Sequence, residues 1–365
     1  MAEFLDDRTA RLMDAWEPPE RGPQGWQRPG VAAGTGEAVA QVYFPPVANG
    51  LDYLLSTAKH LGTGGQQGDV ESALKYAILH LAAGVEVLLK ARLQLEHWTL
   101  VFKDPGQATR KDLEKGTFVS CTPGETLQRL RNVAEVPISD KDAKALTQLA
   151  EHRNALQHYG LTGPSAAVLV VESGIAAVLD FLVRFLDEQL LPALTETERG
   201  AVQGKMTEIR SSLVWVKRFT TKRMQRLNAD LEPLRSSTVE CSDCRQFALV
   251  VGGREARCYF CWTERTIEDA LLSHRIVVLG RPPALQAGDS GEVRRGEYCS
   301  TCGSYTVLHG VSTAASPEPM APVALCFTCG DVSSAKPVCL GCERVFEPVR
   351  HELGCAECLR KASEQ

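Results

Sequence analysis

Cysteines constrain the C-terminal third of this chain more than any other residue type. Twelve of the 13 cysteines form six Cys-x-x-Cys pairs, all of which follow residue 240, and Cys121 stands alone. In a chain without a secretion signal, such pairs are typical of metal binding rather than of disulfides. Four thiolates surround one zinc ion and leave no place for water, so we expect about three structural zinc ions per chain. Their predicted ligands are Cys241, Cys244, Cys258, Cys261, Cys299, Cys302, Cys326, Cys329, Cys339, Cys342, Cys355 and Cys358.

The spacing of the pairs predicts how they combine. Thirteen residues separate the first two pairs, and they contain two strand-like runs around Gly252-Gly253, which is the pattern of a hairpin. A hairpin with two cysteines at each end is a zinc ribbon, which we place at residues 236–275. Chain order predicts two more ribbons within residues 297–365. Joining Cys326/Cys329 to Cys339/Cys342 instead would also complete a site. Residues 281–296 resemble a linker.

The chain before the cysteines is predicted to be mainly helical. Residues 1–46 are rich in Pro and Gly without periodicity, which indicates a flexible arm. Residues 47–192 are expected to form an antiparallel helical bundle. Its second helix is apolar almost all round and should therefore be central. The predicted helices are Val47–Leu61, Val70–His97, a short one from Thr122, Lys141–Tyr159 and Ser165–Leu190.

Two groups of polar residues interrupt the apolar faces of these helices. Arg153 extends an apolar stripe of its helix, and Arg is rarely buried without a partner, although a structural ion pair would explain it equally well. Asn154 follows it, and His158 lies in the last turn, where the helix dipole favours a protonated imidazole. Glu86 and Lys90 form a Glu-x-x-x-Lys pair on the second helix, which by itself is an ordinary ion pair worth about 0.3–0.5 kcal/mol.

Together these motifs resemble the HEPN family (higher eukaryotes and prokaryotes nucleotide-binding). The resemblance covers residues 47–192 and departs from a minimal domain in the insertion Trp98–Ile138. An Arg followed five to seven residues later by a His also occurs at Arg92–His97, which lacks the following Asn, and at Arg344–His351, which falls among the cysteines. We therefore place the motif at Arg153.

The resemblance implies a metal-independent endoribonuclease that cuts single-stranded RNA. His158 would transfer a proton, Arg153 would stabilise charge on the phosphate, and Asn154 would orient the reactants, with Glu86 and Lys90 as a supporting polar layer. On one helix Arg153 and His158 are roughly 140° apart, so the resemblance also implies a site completed in a homodimer. The alternatives are a non-catalytic dimerisation scaffold whose ribbons bind nucleic acid or protein, and a component of a larger complex.

A further helix is predicted over residues 195–235. It interleaves aromatic and basic residues, which would stack on bases and neutralise phosphates, so we expect an RNA-binding surface. A connecting helix with a solvated basic face is the alternative. The predicted contacts are Trp215, Lys217, Arg218, Lys222 and Arg223.

Charge and hydropathy limit the remaining possibilities. The net charge of −5 argues against a uniformly basic coat, so RNA would bind at local patches. Residues 1–20 carry acids and no apolar run, and no uninterrupted apolar stretch reaches the roughly 18 residues of a membrane span. We expect a cytoplasmic protein without a membrane partner.

Overall fold

A computed structural model of the chain describes residues 44–63, 70–281, 286–287, 293–294, 296–316, 322–334, 339 and 355–363. The described chain is mainly helical, and its small antiparallel sheets all follow residue 237. It divides into two compact units, Met1–Thr207 and Glu208–Gln365. Nearly all of the predicted N-terminal arm, residues 1–46, lies outside the described residues.

Among its described residues, unit 1 contains six complete helices, of which five lie close to the positions that the sequence predicts and the short helix Arg110–Lys115 was not predicted. Short 3-10 turns lie between some of them, and a π-helical turn, Leu186–Leu190, extends the last one. The helices are α1 (Pro46–Thr63), α2 (Val70–Glu96), α3 (Arg110–Lys115), α4 (Pro123–Asn132), α5 (Asp140–His158) and α6 (Val168–Phe185).

Helix α2 is the centre of unit 1, as its composition predicts. It contacts α1, α4, α5 and α6, and its buried residues cover a broad face of the helix. It runs antiparallel to α1, because Ser56 meets His80 while His60, further along α1, meets Tyr76, which is earlier in α2. A Cβ atom on Gly84 would stand 3.2 Å from the α1 backbone, so glycine permits this close packing.

Side-chain caps fix the ends of the two helices that carry the candidate site. The Thr122 hydroxyl accepts from the Glu125 amide at the start of α4, and the Glu125 carboxylate accepts from the Thr122 amide. Ser139 caps α5 in the same way through the amide of Asp142. Helix α5 ends just before Gly160, whose φ of +96° is a conformation that favours glycine. These starts and stops agree with the sequence prediction.

The helix predicted over residues 195–235 is in fact two helices, α7 (Glu196–Leu213) and α8 (Lys217–Leu231). The break lies where the Val216 amide donates to the carbonyl of Leu213, three residues back, at 3.0 Å. This tighter turn replaces the α-helical spacing and allows the apolar side chain of Val216 to be buried. Helical periodicity alone did not reveal that break.

The described residues of unit 2 form two main antiparallel sheets. The first has the order β1 (Thr238–Glu240), β2 (Phe247–Val250), β3 (Glu255–Cys258) and β4 (Glu264–Thr266), which confirms the hairpin predicted around Gly252. Helix α9 (Ile267–Ser273) and a π-helical turn (His274–Val278) follow it. Within the predicted linker, β5 (Gln286–Ala287) pairs with β6 (Val293–Arg294). The second sheet consists of β7 (Val307–Val311), β8 (Val323–Cys326) and β9 (Val332–Ser334), and α10 (Ala356–Ser363) is the last element.

The two sheets of unit 2 contact each other through their backbones. The Gly252 amide donates to the Phe327 carbonyl at 2.9 Å, and Val239 forms a β-bridge with Thr313. A Cβ atom on Gly252 would lie 3.0 Å from the backbone of Gly330, so glycine is required for this approach. The predicted linker therefore does not hold the two sheets apart.

Among the described helices, one has the length and apolar composition of a membrane span. It is α2, and half of its most apolar 18-residue window is buried within the protein. Core helices of globular proteins pass the same test, so this finding is weak evidence for a membrane span.

His274 is a buried histidine at the junction of α9 with both sheets. Its Nδ1 donates to the carbonyl oxygen of Glu240 at 3.1 Å, and its ring lies 5.6 Å from that of Phe327. The pKa of His274 is lowered to about 4, chiefly by burial; the hydrogen bond to Glu240 opposes this shift, and the positive charges of Arg245 and Arg281 add to it. The imidazole is therefore neutral at pH 7.

We predict that unit 2 loses stability as the pH falls through the range between the unfolded and folded pKa values of His274, about 6.5 and 4. In that range the unfolded chain binds a proton at His274 that the folded chain does not bind. The free energy of unfolding is therefore at its full value above about pH 6.5 and is lower by about 2 kcal/mol at pH 5. Urea unfolding at pH 7.5 and pH 5, with zinc present, measures the difference. His274→Gln keeps a hydrogen-bond donor but does not titrate, so its pH dependence should be smaller by that amount. An equal pH dependence in both proteins would contradict this assignment.

Candidate functional site

A polar cleft opens in unit 1 where α2 and α5 meet the insertion between α2 and α4. Its volume is about 270 Å³. Helices α2 and α5 contribute acidic and basic groups, and the insertion contributes the start of α4 and the residues just before it. The lining residues are Glu86, Ser120, Cys121, Thr122, Pro123, Ala150, Arg153 and Asn154. Three of the five predicted catalytic residues therefore line one cleft.

An ion network centred on Glu86 organises this cleft. One carboxylate oxygen accepts from Lys90 Nζ at 2.6 Å, and the other accepts from Arg153 Nη2 at 3.2 Å. Arg153 Nη1 also donates to the side-chain oxygen of Asn154 at 2.9 Å. Two cations share a single carboxylate, so the network keeps a formal charge of +1. Lys90 is 15% exposed and Arg153 is 33% exposed, so both remain within reach of a small anion.

The insertion Trp98–Ile138 supplies one wall of the cleft, which the sequence analysis did not resolve. Lys90 Nζ donates to Ser120 Oγ at 2.8 Å, and Ser120 is held by a β-bridge to Phe102. Arg129 of α4 donates to the Phe102 carbonyl and thereby ties the insertion together. The only sequence signal for this wall is the Thr122 capping box, which fixes where α4 starts but not what it faces.

His158 lies outside the cleft. It occupies the last residue of α5 and is exposed, as is Tyr159 directly after it, whose side chain is 82% exposed. The structure therefore brings together Glu86, Lys90, Arg153 and Asn154 but not His158. This agrees with the wide angle that five helical residues place between Arg153 and His158.

The cysteines of unit 2 gather into clusters that fit a tetrahedral metal ion. In cluster 1 (Cys241, Cys244, Cys258, Cys261), two sulphur–sulphur distances are 3.8 and 3.6 Å. In cluster 2 (Cys299, Cys302, Cys326, Cys329), both corresponding distances are 3.7 Å. Four sulphurs at about 2.3 Å from one zinc ion are about 3.8 Å apart, so both clusters have the spacing that zinc requires.

Cluster 3 contains the described cysteines Cys339, Cys355 and Cys358. The Cys355 amide donates to Cys339 Sγ at 3.1 Å, as backbone amides do to metal-bound thiolates. The predicted fourth ligand, Cys342, lies outside the described residues. The clusters follow chain order, so Cys326 and Cys329 join Cys299 and Cys302 rather than Cys339. The described residues of all three clusters can hold metal ions and are compatible with zinc.

One of the residues predicted to form a basic RNA-binding surface around α8 is buried. Trp215 is 79% exposed, and Lys217 and Arg218 are also exposed. Arg223, in contrast, is only 1% exposed and points into unit 2. Its guanidinium donates to the carbonyls of Phe260 and Tyr259 and lies 3.6 Å from the ring centroid of Trp262. Arg223 therefore fastens α8 to the first sheet and is not available to a phosphate.

Comparisons of this chain with protein-family models, with curated proteins and with solved structures give no match.

We predict that protein purified without added metal carries about three zinc ions per chain, because three clusters fit the ion. Cys241→Ser should remove about one zinc ion and unfold the first sheet, while the helical signal of unit 1 stays largely intact. Elemental analysis and circular dichroism measure both effects. Cys121→Ser is the matched control, since Cys121 belongs to no cluster and should leave the zinc content unchanged. A zinc content near one, or disulfides in place of metal, would contradict the three-site prediction.

Proposed function

We propose that this chain is a metal-independent endoribonuclease of the HEPN type, with the cleft of unit 1 as its phosphate site. The observation that carries the proposal is the convergence of Arg153, Asn154 and the Glu86–Lys90 pair from two separate helices. These are the residues that the family resemblance selects. Glu86 and Arg153 come together although they are 67 positions apart in the sequence. A structural ion pair would need only the Glu86–Arg153 contact, whereas here further polar groups line an open cleft.

In this proposal the phosphate enters beside Arg153. Glu86 holds the guanidinium and the Lys90 ammonium on either side of its carboxylate, which orients both cations before substrate arrives. Arg153 then stabilises the charge that develops on the phosphate oxygens, and Asn154 keeps the guanidinium in its plane. His158 accepts the proton of the ribose 2′-hydroxyl or donates one to the leaving oxygen.

Because His158 lies outside the cleft, the proposal requires a homodimer in which two copies complete each site. The start of α6 supports such an interface: the consecutive residues Val168, Leu169 and Val170 are 41%, 64% and 51% exposed. Adjacent exposed apolar side chains, rather than isolated ones, are characteristic of protein–protein contacts.

Unit 2 would serve binding rather than chemistry. The three cysteine clusters fit zinc ribbons, whose closed thiolate sets hold the fold and leave no open metal position for catalysis. RNA would contact Trp215, Lys217, Arg218 and Lys222 of the segment around α8, by stacking and phosphate neutralisation. A protein partner on the ribbons, and a cytoplasmic location, complete the proposal.

The second candidate is a non-catalytic HEPN-like scaffold that dimerises through unit 1 and binds nucleic acid or protein through its ribbons. The exposed position of His158, away from Arg153, favours it. The two functions differ in whether RNA is cut or only bound.

We predict that the purified protein cuts single-stranded RNA in the presence of a metal chelator weak enough to leave the cysteine-bound zinc in place. Products should end in a 2′,3′-cyclic phosphate or its hydrolysis product, since the 2′-hydroxyl is the attacking group. Arg153→Ala and His158→Ala should each slow cleavage roughly 100-fold or more, because a positioned acid–base group contributes about 10²–10⁴-fold. Gel analysis of end-labelled RNA measures the rates and the ends.

His97→Ala is the matched control, since Arg92 and His97 repeat the spacing outside the cleft, and its rate should stay near wild type. A 2′-deoxy nucleotide at the cut position should block the reaction. Full activity in His158→Ala would refute the catalytic assignment. Retained RNA binding without cleavage by any protein would support the scaffold instead.

We also predict that the chain is a dimer at micromolar concentration and that Leu169→Asp converts it to a monomer, because a buried unpaired charge opposes association. Light scattering measures the mass. Val133→Asp places the same charge on a comparably exposed apolar residue of unit 1 and should leave the dimer intact. A wild-type monomer, or a dimer that Leu169→Asp does not disturb, would argue against this interface.

A further inference from the structure

Two histidines of unit 1 form a cluster that the proposed ribonuclease site does not use. His60 of α1 and His80 of α2 have ring centroids 5.3 Å apart, with an angle of 50° between the ring planes. Tyr76 stacks on His60 at 5.5 Å, and Tyr53 lies 6.0 Å from His80. The antiparallel packing of α1 and α2 produces this arrangement, since it sets residues near the end of α1 beside the first turns of α2.

The spacing of the two rings matches that of two imidazoles bound to one metal ion. Metal–nitrogen bonds of about 2 Å in a tetrahedral arrangement place two ring centroids roughly 5 Å apart. The observed 5.3 Å agrees with this value. Both residues are half-buried, so water can still complete the coordination of an ion.

The surroundings of His80 resemble the outer contacts of a metal-bound histidine. Its Nδ1 lies 2.9 Å from the Ser56 hydroxyl, which leaves Nε2 as the nitrogen for an ion. A hydrogen bond to the second ring nitrogen fixes the orientation of a ligating imidazole. Burial, together with the positive charge of His60, lowers the pKa of His80.

We propose that His60 and His80 bind one divalent transition-metal ion, of the class of Zn²⁺, Ni²⁺ or Cu²⁺, between α1 and α2. Imidazole ligands select these ions over Mg²⁺ and Ca²⁺, which prefer oxygen. The site is separate from the three cysteine clusters and from the Glu86–Arg153 cleft. The bound ion cross-links the central helix to its neighbour.

Nickel titration of the zinc-containing, gel-filtered full chain tests the site. Calorimetry should show one Ni²⁺ per chain, and elemental analysis should show that the cysteine-bound zinc is retained. His60→Gln and His80→Gln should each weaken Ni²⁺ binding at least tenfold, and Ser56→Ala should weaken it roughly tenfold through the lost orienting contact. Two separate histidine variants guard against a folding defect in one of them, which circular dichroism would detect.

His97→Gln is the matched control. Its Nδ1 also faces a hydroxyl, that of Thr99 at 2.7 Å, but the ring beside that of His97 is the Trp98 indole, at 5.7 Å, rather than another histidine. This variant should bind Ni²⁺ like the wild type. The proposal is overturned if the wild type shows no saturable Ni²⁺ binding, if both His60→Gln and His80→Gln bind as the wild type does, or if binding follows only the loss of cysteine-bound zinc.

Discussion

Close packing of α2 against four other helices is the constraint on which unit 1 depends. Charged residues at the edge of its buried face are partly removed from water, so each needs a partner within the protein. Glu86 and Lys90 satisfy this requirement together, and they recruit Arg153 from α5 and Ser120 from the insertion. The polar cleft therefore follows from the packing, because it lies where charged residues of the central helix contact polar groups of the neighbouring elements.

Unit 2 solves a different problem, because its strands are only two to five residues long and bury little apolar surface. Such sheets need another source of stability, and the thiolate clusters at their ends supply it when metal binds. Arg223 adds a second kind of fastening, since it brings a helix against the first sheet through backbone carbonyls and the face of Trp262. A charged residue here serves the fold, although the sequence places it among residues that suit RNA.

Much of this organisation could be predicted from periodicity, capping and spacing. The helices of unit 1, the central position of α2 and the first cysteine pairing depend on local or repeated patterns, which a sequence displays directly. The meeting of Glu86 and Arg153 at one cleft was implied by the resemblance, because two residues 67 positions apart carry no local signal of which helices meet. The break before Lys217, the inward direction of Arg223 and the role of Ser120 depend on tertiary packing. Single-sequence patterns do not report which face of a basic helix is covered.

The backbone contact between Gly252 and Phe327 has a consequence for how this chain can vary. The two sheets are held together by direct backbone hydrogen bonds. The distance between clusters 1 and 2 therefore does not depend on how many residues make up the connection at positions 282–295. Insertions and deletions in that connection would therefore cost little, as they do in surface loops generally. Substitution of Gly252, by contrast, would force the sheets apart and change the spacing of the two metal centres. In related chains we expect a connection of variable length between a fixed pair of sheets.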